Sequence, residues 1–219
     1  MSREPMIPGL ARKPNPFATL RRLARPAAEA TRCEFCSLPL ALTHRHVLET
    51  NPRKILCACD ACALRFENVA GRYHLIPRDT RPLPGFQMTD AQWDALALPI
   101  QLAFILHSSP AERTLALYPS PAGATESLLP LSAWDALAAD NPVLTSMQPD
   151  VEALLINRLN GAREYYLAPI DVCFELVGLV RVHWRGFSGG EKVWQEVKDF
   201  FARFQAAPQL TPVAEAAHA

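Results

Sequence analysis

The feature that most constrains this chain is a pair of Cys-x-x-Cys motifs, Cys33-Glu-Phe-Cys36 and Cys59-Asp-Ala-Cys62, separated by residues 37–58. Two residues between ligands let the backbone turn so that both sulfurs face one point. The intervening segment is long enough for a hairpin that brings the second pair opposite the first. The spacing therefore predicts a small module folded around a metal ion held by Cys33, Cys36, Cys59 and Cys62. Zinc suits four thiolates because it asks only for tetrahedral geometry and brings no redox chemistry. Iron, alone or as an iron–sulfur cluster, also fits four sulfurs. Closed four-cysteine sites usually exist to hold a small module folded, so a structural ion is expected ahead of a catalytic one.

The same segment offers more donors than one tetrahedral site takes. Cys57 lies two residues before Cys59, and His44 and His46 alternate along an extended stretch. In a strand Cys57 would share a face with Cys59, whereas a knuckle beginning at Cys59 leaves Cys57 as a neighbour. Either histidine could replace a cysteine, donate to a sulfur or carboxylate beside the metal, or sit in an exposed loop. A spare thiol near a metal also leaves redox sensing and metal transfer open. The sixth cysteine, Cys173, falls on the apolar face of a predicted helix and reads as a buried, inert thiol.

Composition sets the background. At 219 residues, with 49% hydrophobic and 20% charged residues, the chain can bury a proper core, and its 20 prolines point to many turns. No apolar run reaches the roughly 20 residues that a bilayer crossing needs. Residues 1–32 carry seven Arg or Lys against Glu4 and Glu29, which reads as a solvated basic tail. The Arg21-Arg22 pair is followed by Ala-Arg-Pro-Ala-Ala-Glu-Ala instead of an apolar export segment. A cytoplasmic, reducing setting is thus expected, in which metal ligation is favoured over disulfides.

Periodicity divides the chain into a basic tail (1–30), a metal-binding, zinc-ribbon-like module (31–77), an α+β domain (86–206) and a flexible tail (207–219). The module reads as strands near 54–57 and 73–76 with a helical turn near 61–66. A proline-studded connector over 76–85 marks the boundary. Thr89 and Gln92 form a capping box for a helix to about Leu96. Residues 100–106 and 113–118 suit a buried hairpin, followed by a loop over 119–123. Ser132 is placed as the cap of a helix that Asn141-Pro142 ends. Residues 151–158 and 164–168 flank the turn signal Asn160-Gly161 as a second hairpin. Pro169 is placed as the first residue of a largely buried helix carrying Ile170, Cys173, Phe174, Val177 and Val180. Ser188-Gly-Gly-Glu191 reads as the capping box of a last helix, whose stripe is Val193, Trp194, Val197, Phe200, Phe201 and Phe204. The fold class is α+β: the small cysteine-ligated module plus a larger antiparallel sheet covered by the final two helices.

With these residues in view, the chain resembles a bacterial family whose genes commonly accompany nickel-iron hydrogenase structural and maturation genes. The carriers are Cys33-Glu-Phe-Cys36, His44-Arg-His46, Cys57-Ala-Cys59-Asp-Ala-Cys62, Tyr118-Pro-Ser-Pro-Ala-Gly-Ala-Thr-Glu-Ser-Leu-Leu-Pro130 and His183-Trp-Arg-Gly-Phe-Ser-Gly-Gly190. The resemblance spans nearly all of residues 31–206 and implies an accessory role near hydrogenase assembly or electron transfer, without supplying a reaction.

The expected function is a non-enzymatic, metal-binding accessory protein that contacts a hydrogenase subunit or maturation factor. The alternative is an iron–sulfur or rubredoxin-like electron-transfer protein. No nucleophile or acid–base pair stands out as catalytic, although an enzyme with a pocket near Glu126 and residues 188–191 is a third reading. Nucleic-acid binding is disfavoured because the chain beyond the basic tail is net acidic and lacks an aromatic–basic motif.

Overall fold

Apolar residues on both sides of the turn at Asn51 build a hairpin in which β1 (Arg45–Glu49) pairs antiparallel with β2 (Lys54–Ala58). β3 (Tyr73–Leu75) joins the other edge of β1, so the stretch carrying the histidines runs into the central strand of a three-stranded sheet. Helix α1 (Asp60–Phe66) follows β2 directly, with Cys59 in the capping position. The computed structural model describes residues 31–51, 53–67, 69–127 and 130–205, so the tails expected at 1–30 and 207–219 lie outside the described residues.

Register assigns the two faces of this sheet different tasks, because the side-chain period of a strand is two. Val47 lies opposite Leu56, and Arg45 opposite Ala58, on one face. There Val47 and Ala58 pack with Cys33 and with Ala63 of α1. His46 lies opposite Cys57, and Leu48 opposite Ile55, on the other. Leu48 is buried in the core of the larger sheet, and Ile55 packs against that core. The module thus shares its core with the rest of the protein.

The larger sheet comprises β4 (Arg81–Pro82), β5 (Leu102–Ser108), β6 (Arg113–Ser120), β7 (Gly123–Ser127), β8 (Glu152–Asn157) and β9 (Glu164–Pro169). Its order is β4-β9-β8-β5-β6-β7 and every pairing is antiparallel. Leu102, Phe104, Leu106 and Leu155 face the core built with α4 (Ile170–His183) and α5 (Gly190–Gln205). Ala103, Ile105, Leu154 and Ile156 pack with residues of α2 (Asp90–Ala95) and α3 (Leu131–Asp140). Each fully buried Leu or Phe contributes roughly 1.5–3 kcal/mol of transfer free energy.

Helices therefore cover both faces of the large sheet, where only the final two were expected to. That is why β5 and β8 read as unbroken apolar runs instead of alternating. The capping box at Thr89 is present, with its hydroxyl accepting from the Gln92 N–H. Five local expectations differ. The connector over 76–85 is partly strand, since β4 pairs with β9. The loop expected at 119–123 is the tight end of a hairpin: β6 continues to Ser120 and pairs with β7, and the Ser120 hydroxyl donates to the Gly123 carbonyl. Helix α3 starts at Leu131 with Pro130, not Ser132, in the capping position, and Pro169 ends β9 and caps α4 from outside. The last helix begins at Gly190, so Ser188 does not immediately precede it.

Candidate metal centre

The first cysteine pair sits in a tight knuckle. The Cys33 N–H donates to the Leu38 carbonyl (2.9 Å) and the Ser37 N–H to the Cys33 carbonyl (2.8 Å), with Ser37 in the left-handed region at φ 63°. Glu34 pins this knuckle to β2, the edge strand. Its N–H donates to the Cys57 carbonyl (2.9 Å), and its carboxylate accepts from the Cys57 N–H (3.1 Å) and from Lys54 Nζ (2.6 Å). Phe35 stacks on Phe66 of α1 at 4.4 Å and meets the edge of Tyr73 at 5.6 Å, closing the apolar side. The second pair lies at the start of α1, where the Ala63 N–H donates to the Cys59 carbonyl (2.9 Å) and brings Cys62 onto the first turn.

These two devices bring the sulfurs of Cys33, Cys36, Cys59 and Cys62 within 4.8 Å of one another, with Cys36 Sγ and Cys59 Sγ 3.8 Å apart. A tetrahedral ion with metal–sulfur bonds of about 2.3 Å sets its sulfurs about 3.8 Å apart. The donor set thus fits a metal ion. Electrostatics points the same way. Burial opposes ionisation of Cys33, but the backbone N–H groups of Cys59, Cys36 and Phe35 outweigh it and bring the thiol down to about 6. Burial, followed by the sulfurs of Cys59, Cys36 and Cys33, pushes Cys62 up to about 12. Thiols packed this closely resist ionising together, and a cation at their centre removes that conflict.

The three surplus donors of the sequence form a separate group. His44, His46 and Cys57 offer one donor atom each within 4.8 Å of one another. His46 and Cys57 face away from the layer of Val47 and Ala58, and His46 Nδ1 lies 2.6 Å from Asp171 Oδ2 at the start of α4. Asp171 carried no signal in the sequence, being 125 residues from its partner. Cys173 is fully buried, and burial raises its thiol well above the ordinary range.

The other sequence candidates make local contacts away from the cysteine cluster. Glu126 is on β7 and pairs with Arg113 (2.6 Å). The 183–190 stretch is a held turn: Arg185 bridges to Gly189, and Trp184 Nε1 donates to the Gly186 carbonyl (2.9 Å). Trp194 Nε1 donates to the Ser188 carbonyl (3.0 Å). A cleft of about 570 Å³ between the β8–β9 turn and α5 is lined by Glu164, Glu191, Trp194 and Lys198 and contains neither histidine nor cysteine.

Fold and site together define an α+β protein with a four-cysteine cluster able to hold a metal ion, and none of its described helices is long and apolar enough to cross a membrane. The chain belongs to the family of unknown function DUF5947, whose model matches residues 32–208. No curated protein and no solved structure matches it.

Proposed function

We propose that this chain is a non-enzymatic accessory protein, stabilised by a zinc ion on Cys33, Cys36, Cys59 and Cys62, that assists nickel-iron hydrogenase maturation or assembly through protein–protein contacts. The observation that carries the metal is the mutual approach of four sulfurs held by a knuckle and a helix start. The hydrogenase connection draws its support from the sequence resemblance. The contact role is supported by Phe187, which is fully exposed on the held turn between α4 and α5. A large aromatic side chain in water on a fixed turn is suited to a partner's apolar pocket.

The test is elemental analysis with an ultraviolet–visible spectrum on protein purified without oxygen, followed by affinity purification from cells making the hydrogenase. Tightly held zinc without visible absorption, with hydrogenase subunits or maturation factors retained by the native chain and lost with Phe187→Glu, is the expected result. Iron and sulfide with visible bands would replace this reading with electron transfer. Retention of the same partners by Phe187→Glu would remove the turn from the interface.

A further inference from the structure

We propose that His44, His46 and Cys57 form a second metal site, on the opposite face of the small sheet from the four-cysteine cluster. It takes a late first-row divalent cation on three protein ligands and leaves one coordination position open. None of the four clustered cysteines is used, so the proposal stands apart from the structural-zinc reading.

Backbone register creates the juxtaposition. His46 and Cys57 are cross-strand partners of β1 and β2, and His44 precedes His46 by two residues. The two imidazole rings meet edge to face with centroids 4.8 Å apart. Hydrogen bonding then sets which nitrogen of each ring is free. A carbonyl only accepts, so His44 Nδ1 must carry the proton it shares with the Ala41 carbonyl at 2.9 Å, which leaves the lone pair on Nε2. That Nε2 is buried and has no hydrogen-bond partner among the described residues. The carboxylate of Asp171 likewise accepts from His46 Nδ1 at 2.6 Å and leaves Nε2 of His46 as a donor to an ion. Asp171 is itself held by the Val172 N–H, which donates to Oδ1 at 2.8 Å.

A histidine that ligates a metal through one nitrogen usually donates from the other to a carboxylate or carbonyl, which fixes the tautomer and raises basicity. Here both histidines do so. Imidazole and thiolate together favour zinc, cobalt or nickel over magnesium or calcium. Three protein ligands are what open sites carry, in contrast to the closed four-cysteine cage. Of the three ligands His46 reaches the first turn of α4 through Asp171, so an ion there is linked through that bond to the larger domain.

The experiment uses the full chain with its tightly held metal in place, dialysed anaerobically against Co²⁺, with cobalt and the original metal counted and the thiolate-to-cobalt charge-transfer band recorded. The native chain is expected to take about one further equivalent without losing the original ion. Cys57→Ala, His46→Gln and His44→Gln should each abolish that uptake and the band while the original metal stays. His44→Gln is the least disturbing, since the Nδ1 bond it removes ends within the local turn. Asp171→Asn, a positioning change, should weaken cobalt binding about 10- to 100-fold while preserving its stoichiometry and band. No further cobalt in the native chain, equal uptake by the variants, or loss of the original metal in Cys57→Ala would each overturn the proposal.

Discussion

His46 Nδ1 and Asp171 Oδ2 lie 2.6 Å apart although 125 residues separate them in the chain, and this bond joins the small sheet to the first turn of α4. Both side chains are partly exposed, at 30% and 21%, so the contact is screened but not solvated away. Asp171→Ala should lower the free energy of unfolding by about 1–2 kcal/mol, read by urea titration. Within the molecule the loss should concentrate in the small module, seen as faster amide exchange in β1 and β2. A uniform change across the large sheet would argue against this bond as the tie.

Removing one sulfur should unfold the module before it touches the rest. Cys36→Ser is expected to lose the cysteine-held ion and the exchange protection of α1 and the knuckle, while the core around Phe104 and Leu155 persists. Chelation of the native protein should reproduce this, and added zinc should reverse it. Full stability with the metal gone would refute a structural role for the ion.

Ser37 occupies the left-handed region at φ 63° immediately after Cys36, with its side chain exposed. Glycine adopts that conformation without a Cβ clash, so Ser37→Gly should stabilise the chain by about 0.5–1 kcal/mol and leave metal content unchanged. Thermal unfolding in the presence of metal measures it, and a destabilised variant would show that the Ser37 side chain contributes more than its backbone costs.

Glu34 contributes one pH dependence to the knuckle. The hydrogen bond from Lys54, helped by the Cys57 N–H against partial burial, holds its carboxyl below the ordinary value. A folded-state pKa below the unfolded one means that the stabilisation is fully present above the unfolded pKa and fades as pH falls through the folded one. Glu34→Gln should therefore be less stable than the native chain near neutrality, and the gap should close below about pH 4. Lys54 and Glu34 are both substantially exposed, so the gap should stay under about 1 kcal/mol.

Gly189 has φ +87°, and a Cβ there would meet Val193 Cγ1 at 2.8 Å and Trp184 Cε3 at 3.1 Å. Gly189→Ala should cost about 1–3 kcal/mol through backbone strain and overpacking against the Trp184–Trp194 pair. Gly186→Ala also meets a positive φ but open space, so it should cost less. Equal losses in the two variants would mean that crowding contributes nothing.

The sequence by itself determined the local matters. Two residues between cysteines, a Thr89–Gln92 capping box, the Asn160-Gly161 turn and the 3.6-residue stripe of α5 act over a few residues, and short-range sterics and hydrogen bonding decide them. Tertiary structure alone decided where the surplus donors go. His44, His46 and Cys57 were legible as metal-binding residue types, but which of them join the four-cysteine cluster depends on register. Pairing His46 with Cys57 sends both to the face away from that cluster. The same holds for the second helical layer and for Asp171. Apolar periodicity states that a strand is buried but not by which helix, and no local signal links residues that only the folded chain brings together.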